Sequence, residues 1–465
     1  MDRPDWKAAL GEALEHAVAY LESLPERPVR PAADLAQLRE ALGGPLPDGP
    51  QEAARVVARL AAAAEPGVIA SGSGRFFGFV VGGATPAALA ADWLACAWDQ
   101  NAGLYALGPA AAVVEEVAGA WVADLLGLPP QASVGFVTGA QMANFTGLAA
   151  GLQAVLARHG WDLGSAGLWG APQVRVLAGE QRHGTIDRAL RFLGAGTGLI
   201  EPVATDAQGR MRVDALAVAL DDRPAIVCAQ VGNVNTGAVD PVGEISDVAH
   251  RHGAWVHVDG AFGLWAAASP RLRPLVAGVE RADSWATDAH KWLNVPYDCG
   301  LVFCADPSAH RAAMGARAGY LVHGSAGERD ALDHNPEHSR RARGFAVYAA
   351  LRALGRRGVA ELVERSCALG HRFAEQLGAA PDVEVLNDVV LNQVLVRFPA
   401  GSDRDSDELT RAVVDRVQRD GTCWCSGTLW QGRAAMRISL SNWSTDEADV
   451  DRSVAAVLRC LHEAD

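Results

Sequence analysis

The stretches WVHVDGAFG (residues 255–263) and SWATDAHKW (residues 284–292) decide the fold, because each is a short apolar run that leads into charged residues. Such runs predict buried strands of a layered α/β fold, with helices on both faces of the sheet. Asp259 and Lys291 follow the two runs and lie 32 positions apart, which leaves room for one crossover and a second strand. Since ligands bind at the carboxyl ends of strands in such sheets, we expect this acid and this amine on one rim.

The lysine content singles out one residue. The chain has two lysines, Lys7 and Lys291, although lysine and arginine together number 41. Because arginine serves as nearly every other cation, the amine at position 291 is not a routine surface charge. A primary amine forms an imine with a carbonyl, whereas a guanidinium does not. Lys291 is therefore predicted to carry Schiff-base chemistry.

Composition excludes several classes of function. The 465 residues carry a net charge of −14 without a basic block, which argues against nucleic-acid and anionic-membrane partners. No apolar run approaches the ~20 residues of a spanning helix, and the N-terminus has no signal core, so a cytoplasmic protein is expected. The eight scattered cysteines form no CxxC pair and predict reduced thiols. His334 and His338 have no third ligand nearby, so no metal site is predicted.

The pattern along the chain predicts three parts. Residues 1–70 read as helices broken by prolines, with too little apolar bulk to fold alone, so they form an arm on the rest of the chain or on a second subunit. Residues 71–345 alternate helices and strands and predict a large α/β domain. Residues 346–465 predict a small α+β domain. The predicted strands are 135–137, 174–178, 225–230, 255–258, 284–287, 300–304, 391–398, 423–425 and 436–440.

The pair formed by Asp259 and Lys291 favours pyridoxal phosphate as cofactor. That cofactor needs a lysine for the imine and an acid that keeps its pyridine nitrogen protonated. Alternatively, Asp259 caps a helix and Lys291 is a surface charge. Either residue alone is ordinary, but an acid and an amine that both follow strands favour the cofactor.

Two further motifs fit the same cofactor. The stretch VTGAQMAN (137–144) predicts a strand, a turn and a helix N-terminus, where the amides of Ala140 and Gln141 would contact a phosphate. His183 follows another strand, so its imidazole could stack on the cofactor ring. The alternatives are an ordinary helix entry and a structural histidine.

The motifs HVDGAFG and DAHKW make the chain resemble the group II pyridoxal-phosphate-dependent amino acid decarboxylases, which include the aromatic amino acid, glutamate and cysteine sulfinate decarboxylases. The resemblance begins near Arg75. It implies the aspartate-aminotransferase-like fold (fold type I) with a mixed, mostly parallel sheet, and a homodimer with shared active sites. It also implies Lys291 as the Schiff-base residue, Asp259 on the pyridine nitrogen, His183 on the ring and His290 near the phosphate.

Tyr320 bears on the outcome of the reaction. It lies 29 positions after Lys291, where similar aromatic amino acid decarboxylases carry a tyrosine on a mobile loop. Its hydroxyl would return a proton to the substrate after carbon dioxide leaves. Similar enzymes that make aldehydes carry phenylalanine there. The alternative is a buried aromatic residue at the base of a loop.

Weaker signals concern the substrate. Asn235 could reach the cofactor or form a turn, and Arg437 could bind a carboxylate or a surface acid. Phe79 and Tyr105 could line a pocket for an aromatic or apolar side chain or belong to the core, whereas Arg75 could serve an acidic one. We therefore expect decarboxylation of an L-amino acid to an amine, and the aromatic residues favour a substrate with an aromatic or apolar side chain. The alternatives are aldehyde synthesis, transamination, carbon–carbon lysis or a non-catalytic protein that binds the cofactor.

Overall fold

The computed structural model describes residues 5–316, 323–325, 327–401 and 405–464. The arm consists of α1 (Trp6–Ser23), α2 (Leu35–Leu42) and α3 (Ala53–Ala64). The large domain contains α4 (Pro86–Trp98), α5 (Pro109–Leu126), β1 (Ser133–Val137), α6 (Ala140–Arg158), α7 (Leu163–Ala166), β2 (Arg175–Gly179), α8 (Gly184–Phe192), β3 (Ile200–Val203), α9 (Val213–Ala219), β4 (Ala225–Gln230), α10 (Val242–Arg251), β5 (Trp255–Asp259), β6 (Ser284–Asp288), β7 (Gly300–Cys304) and α11 (Pro307–Met314). The remaining elements are α12 (Gly344–Gly378), β8 (Glu384–Val385), β9 (Gln393–Arg397), α13 (Ser406–Asp420), β10 (Ser426–Trp430), β11 (Arg433–Ser439) and α14 (Glu447–Ala464).

The large sheet places one functional edge. Its strand order is β1-β7-β6-β5-β4-β2-β3. Strands β3, β2, β4, β5 and β6 are parallel, while β7 is antiparallel to both β6 and β1. Strand β1 therefore runs in the same direction as β6, and six strands end on one edge. The predicted mixed, mostly parallel sheet is confirmed.

The core explains why the central strands are apolar. Every residue of β5, β6 and β7 is buried, because helices cover both faces of the sheet. Helix α6 packs across β5, β6 and β7 on one face. Trp265, Trp285 and Phe303 belong to a fully buried cluster with residues of α5, α10 and α12. This rigid core fixes the strand ends that carry the polar residues.

The small domain contains an antiparallel sheet of order β10-β11-β9-β8. The predicted strand at 423–425 is wrong, because the strand begins at Ser426. The backbone around Trp424 instead pairs with residues 75–77: the Trp424 N–H donates to the Arg75 carbonyl, and the Phe77 N–H donates to the Trp424 carbonyl. This segment therefore joins the small domain to the chain that leaves the arm.

The arm is largely unburied. No residue of α1, α2 or α3 is buried. Trp6, Leu10, Leu14, Val18 and Leu21 recur three or four positions apart on α1, and each exposes between 41% and 70% of its surface. A single chain thus leaves one apolar face of the arm in water.

Arg75 ties the arm to the body of the molecule, so the expectation that it serves an acidic substrate is not supported. It is buried, and its Nη2 donates to the carbonyls of Pro25 and Arg27 at 2.9 Å each. Its Nη1 donates to the carbonyl of Thr422. These contacts hold the guanidinium in a structural role.

Helix α12 connects the two domains. Gly355 interrupts it with a left-handed φ of 62°. Residues between Ala346 and Cys367 pack into the core of the large domain, and those between Leu369 and Leu377 pack into the core of the small domain. The helix therefore belongs to both cores. The proposed domain boundaries at residues 70 and 345 stay predictions.

Two properties of the described residues bear on location and metals. None of their helices is long and apolar enough to cross a membrane. They contain no group of three or more histidine, cysteine or acidic side chains placed to hold a metal. All eight cysteines are free thiols, and seven are buried.

Candidate active site

The edge of the sheet brings the predicted catalytic residues together. Asp259 ends β5, Asp288 ends β6 just before Lys291, and His183 precedes α8 after β2. The charges that act on the His183 ring are those of Asp259, Lys291, Arg437 and Asp288. The charges of two acids, one amine and a guanidinium from the small domain therefore all act on one imidazole.

Asp288 holds the amine of Lys291, and the sequence argument missed it. Its Oδ2 lies 2.9 Å from Nζ of Lys291, and it is 2% exposed, while the lysine side chain is 19% exposed. Its Oδ1 accepts the backbone N–H of Ala140 at 2.6 Å. A buried carboxylate needs such partners to offset its lost hydration. The available signal was its place at the end of a strand, three positions before Lys291.

His290 is a neutral ring beside the same carboxylate. Its Nδ1 accepts the N–H of Cys299 at 3.1 Å, so the ring proton lies on Nε2, which is 3.3 Å from Oδ1 of Asp288. Burial, more than any charge, lowers the pKa of His290. The ring stacks on Tyr297 with a centroid distance of 4.3 Å.

The start of α6 has the close backbone packing expected of an anion site. A Cβ on Gly139 would lie 3.0 Å from Cε1 of His290, and one on Gly300 would lie 2.5 Å from Cα of Gly139. Asp288 takes the Ala140 N–H, and the N–H groups of Met142 and Ala143 bond to the Gly139 carbonyl. Among the described residues, the N–H of Gln141 is left without a protein acceptor. Its side chain donates to the Thr185 carbonyl at 3.4 Å.

Asp259 is fixed by donors from three elements. Its Oδ2 accepts Nδ2 of Asn144 at 3.1 Å and Oγ1 of Thr185 at 3.4 Å, and its Oδ1 accepts the N–H of Ala261 at 3.3 Å. Asp259 is 5% exposed. Sequence reasoning missed Asn144 and Thr185, because nothing in the chain marks which distant amide or hydroxyl meets a given acid.

His183 lies at the mouth of this site. Its surface is exposed, yet the surrounding protein removes enough hydration to lower its pKa, and this effect exceeds the opposing attraction of Asp259. Its Nδ1 lies 2.9 Å from Oγ1 of Thr185 and 3.3 Å from the backbone nitrogen of the same residue. The imidazole is thus oriented by its own helix N-terminus.

Arg437 enters the site from β11 of the small domain. It is 8% exposed; its Nη1 donates to the Val234 carbonyl at 3.2 Å, and its buried Nε has no hydrogen-bond partner. No carboxylate of the described residues forms an ion pair with it. Burial lowers the pKa of Arg437 to about 10. A buried cation without an acid is a ready partner for an anion.

Comparison with known proteins assigns the family. A family model described as the pyridoxal-dependent decarboxylase conserved domain matches residues 36–399. The chain belongs to the pyridoxal-dependent decarboxylase family. Tryptophan decarboxylase 1 of Oryza sativa subsp. japonica is 29% identical to this decarboxylase, over 97% of this chain and 92% of its own. L-2,4-diaminobutyrate decarboxylase of Rhizobium meliloti (strain 1021) is 31% identical, over 80% and 74%. A crystal structure of Oryza sativa TDC with PLP and tryptamine has a TM-score of 0.92 at 27% identity, and covers 99% of this chain and 98% of that chain.

These findings confirm the predicted family, fold type, cofactor and reaction class. The protein is an amino acid decarboxylase that uses pyridoxal 5'-phosphate. The residues present fit that cofactor. Lys291 offers an amine, Asp259 an acid and His183 a flat ring, while the glycine-lined start of α6 leaves room for a phosphate. The unpaired guanidinium of Arg437 adds a site for a carboxylate.

A strained loop of this decarboxylase lies against the backbone of Lys291. Phe79 and Val80 adopt left-handed φ angles of 57° and 63°, which are unfavourable for a β-branched valine. A Cβ on Gly82 would lie 1.9 Å from the Lys291 carbonyl oxygen, and one on Gly83 would lie 2.8 Å from Oδ1 of Asn442. The loop therefore fits between the lysine and the small domain only because both positions are glycine.

The remaining predicted residues occupy different places. Phe79 is 64% exposed and stacks on Trp424 with a centroid distance of 5.3 Å. Oδ1 of Asn235 accepts a hydrogen bond from the hydroxyl of Thr428 at 3.0 Å, and this contact joins the edge of the large sheet to the small domain. The N–H of Tyr105 donates to Asp330 at 3.0 Å. Tyr320 lies outside the described residues.

A groove of about 600 Å³ lies away from this constellation, beside α10. Its charged side chains pair with one another: Arg281 with Asp247, and Arg210 with Asp206. Asp240, whose pKa burial raises to about 6, accepts the N–H groups of Met211 and Gln230 at 2.7 Å each. The charged groups of Asp206, Arg210, Asp240, Asp247 and Arg281 thus already have partners within the protein.

Proposed function

We propose that the decarboxylase works through Lys291, Asp259, His183 and Arg437. The observation that carries the proposal is the shared electrostatic environment of these four side chains at the edge of the sheet. When bound, pyridoxal phosphate supplies a carbonyl for the imine and a ring that accepts electrons as carbon dioxide leaves. Lys291 would bind it covalently, Asp259 would hold its pyridine nitrogen, and His183 would cover its ring. Ala140, Gln141 and His290 line the phosphate end.

The protein residues supply orientation. Arg437 binds the carboxylate of the amino acid, because its guanidinium is buried without a protein acid. Asp288 holds the Lys291 amine at 2.9 Å before the cofactor arrives and keeps it near one rotamer. The fixed groups lower the barrier by positioning and by electrostatics, with little reorganisation.

We further propose that Tyr320 returns the proton to the substrate carbon and so directs the product to an amine. The support is its position 29 residues after Lys291. The test is Tyr320→Phe, with amine and aldehyde measured in the same assay. A shift toward aldehyde or slower amine release supports the role, and an unchanged rate and product ratio refutes it.

The proposed substrate is an L-amino acid with an aromatic or apolar side chain. Exposed Phe79 stacked on Trp424 offers an apolar surface beside the lysine loop. The names of two relatives point to different side chains, tryptophan and 2,4-diaminobutyrate. Carbon dioxide release should therefore be screened over all the amino acids with the holoenzyme. Highest kcat/KM with a charged amino acid would refute this substrate class.

We also propose a cytoplasmic homodimer with shared active sites. The exposed apolar face of α1, formed by Trp6, Leu10, Leu14, Val18 and Leu21, supports a second copy as its partner. The eight free cysteines suit a reducing compartment. Sedimentation of the holoenzyme at several concentrations tests the dimer, and a monomer at all of them would refute it.

A further inference from the structure

A chain of buried polar side chains runs behind Asp259, on the face of the sheet that α6 covers. Trp255, His257 and Asp259 alternate along β5 and therefore point to the same face. Ser284 of β6 lies in register with His257. Asn144 of α6 completes the group. Asn144, His257 and Ser284 are fully buried.

Helix α6 is shaped to admit these rings. A Cβ on Gly147 would lie 2.6 Å from Cε1 of His257, and a Cβ on Gly151 would lie 2.9 Å from Cδ1 of Trp255. Positions 144, 147 and 151 lie on one face of the helix. On this face of α6, Gly147 and Gly151 leave room for the rings of His257 and Trp255, and Asn144 is the polar residue.

The hydrogen bonds of this chain have one possible direction. Trp255 Nε1 is a donor only, and it donates to Ser284 Oγ at 2.9 Å. Ser284 Oγ can accept two hydrogen bonds, so the direction is set from the other end. The Asp259 carboxylate only accepts, so Asn144 donates to it and presents its Oδ1 to Nε2 of His257. Nδ1 of His257 therefore accepts the Ser284 hydroxyl at 2.8 Å. The ring proton of the neutral histidine therefore lies on Nε2.

The same logic fixes the asparagine. Nε2 of His257 donates to Oδ1 of Asn144 at 2.9 Å. The amide NH₂ must then point the other way, to Oδ2 of Asp259 at 3.1 Å and to Oγ1 of Thr185 at 3.1 Å. A carboxylate that only accepts and an indole that only donates thus lie at the two ends of the same row of hydrogen bonds.

We propose that Trp255, Ser284, His257 and Asn144 form a one-directional hydrogen-bond relay that holds Asp259 as an acceptor in one orientation toward the cofactor nitrogen. The inference rests on the proposed role of Asp259 and adds His257, Ser284 and Asn144 as positioning residues. Burial, which lowers the pKa of His257 to about 4, keeps the ring neutral and so preserves the direction.

The first experiment determines where the ring proton of His257 lies and does not depend on catalysis. The apoprotein, labelled with ¹⁵N-histidine, is measured by NMR near neutral pH, and the His257→Gln variant assigns the His257 signals. The expected result is a neutral His257 with its proton on Nε2 and an unprotonated Nδ1. A proton on Nδ1, or a charged ring, would overturn the relay.

The second experiment measures cofactor affinity. Ser284→Ala removes the link between Trp255 and His257 but leaves Asn144 and Asp259 intact. We expect about threefold to tenfold weaker binding of pyridoxal phosphate to the apoprotein, the value of one net hydrogen bond. Asn144→Asp, which turns a donor toward Asp259 into an acceptor, should weaken binding by about tenfold to a hundredfold.

Ser133→Ala is the matched control. Ser133 also hydrogen-bonds Nδ1 of a fully buried histidine, His310, at 2.9 Å, but on β1 and α11. It should destabilise the fold without changing cofactor affinity. If Ser284→Ala, Asn144→Asp and the control all bind the cofactor with equal affinity, the relay does not position Asp259, and its side chains only pack the core. Asp259→Ala separates the two hypotheses: if it retains full affinity, the proposed role of Asp259 fails, whatever the NMR result.

Discussion

The floor of the site and the N-terminal arm are opposite kinds of structure. In the floor, Asn144, His257 and Ser284 are fully buried, and each has a hydrogen-bond partner from another element. In the arm, no helix buries a residue, and Trp6 is 70% exposed. The floor is therefore held together by contacts within one chain, whereas the arm leaves an apolar face without such contacts. Substitutions in the two regions should fail in different ways.

The largest effect is expected from Lys291→Ala in the candidate active site. Without the amine, no cofactor should remain attached after borohydride reduction, and kcat/KM should fall by roughly a thousandfold or more. Mass spectrometry of the reduced protein checks this. Lys7→Ala, which removes the only other lysine, is the matched control and should label fully. Label that persists in Lys291→Ala would place the Schiff base elsewhere.

A smaller loss is expected from the arm. Leu10→Glu with Leu14→Glu places two charges on the exposed apolar face of α1, where each leucine is at least half exposed. The proposed dimer should dissociate and activity should fall at least about tenfold, because burial of a charge at an interface costs several kcal/mol. Sedimentation and activity are measured together. An unchanged mass would mean that this face is not the subunit interface.

Gly82→Ala tests the close contact between the loop at Gly82 and the backbone of Lys291. The added Cβ, which would come 1.9 Å from the Lys291 carbonyl oxygen, must push the loop or the lysine aside. Overpacking of this kind costs about 1–3 kcal/mol, and we expect roughly tenfold lower kcat with the fold retained. Gly198→Ala is the control, since its Cβ would meet no atom within 4 Å. Equal kcat in both variants would show that the loop does not position Lys291.

The last expected effect is a gradual loss of stability in acid. Burial lowers the pKa of His257 and of His310 to about 4, against 6.5 for an ordinary histidine. Between those values the unfolded chain binds protons that the folded chain does not. The free energy of unfolding should therefore fall as the pH drops from 6.5 to 4, by about 3 kcal/mol for each ring.

Urea unfolding at pH 7 and pH 5 measures this loss. His310→Gln should reduce the pH dependence while cofactor affinity stays constant. A pH dependence that His310→Gln leaves unchanged would assign the acid loss to other groups.

The sequence predicted the parts of the site that stand in short motifs. Lys291, Asp259 and His183 follow strands, so the edge of a parallel sheet collects them. Asn144 and Thr185 escaped notice because their partner Asp259 lies 115 and 74 positions away, and no local pattern records such a pairing. The strand predicted at 423–425 failed for the same reason: Trp424 pairs with the distant residues 75–77.

The sequence by itself determined the layered α/β fold and singled out Lys291 and Asp259 as candidates, because alternating apolar runs and a rare residue type are local properties of the chain. The tertiary structure decided the rest: Asp288 as the partner of Lys291, Arg437 as a buried cation without an acid, and the direction of the hydrogen bonds behind Asp259. Those features depend on which donor meets which acceptor across separate elements. Only the packed chain, with its glycines beneath His257 and Trp255, sets those distances.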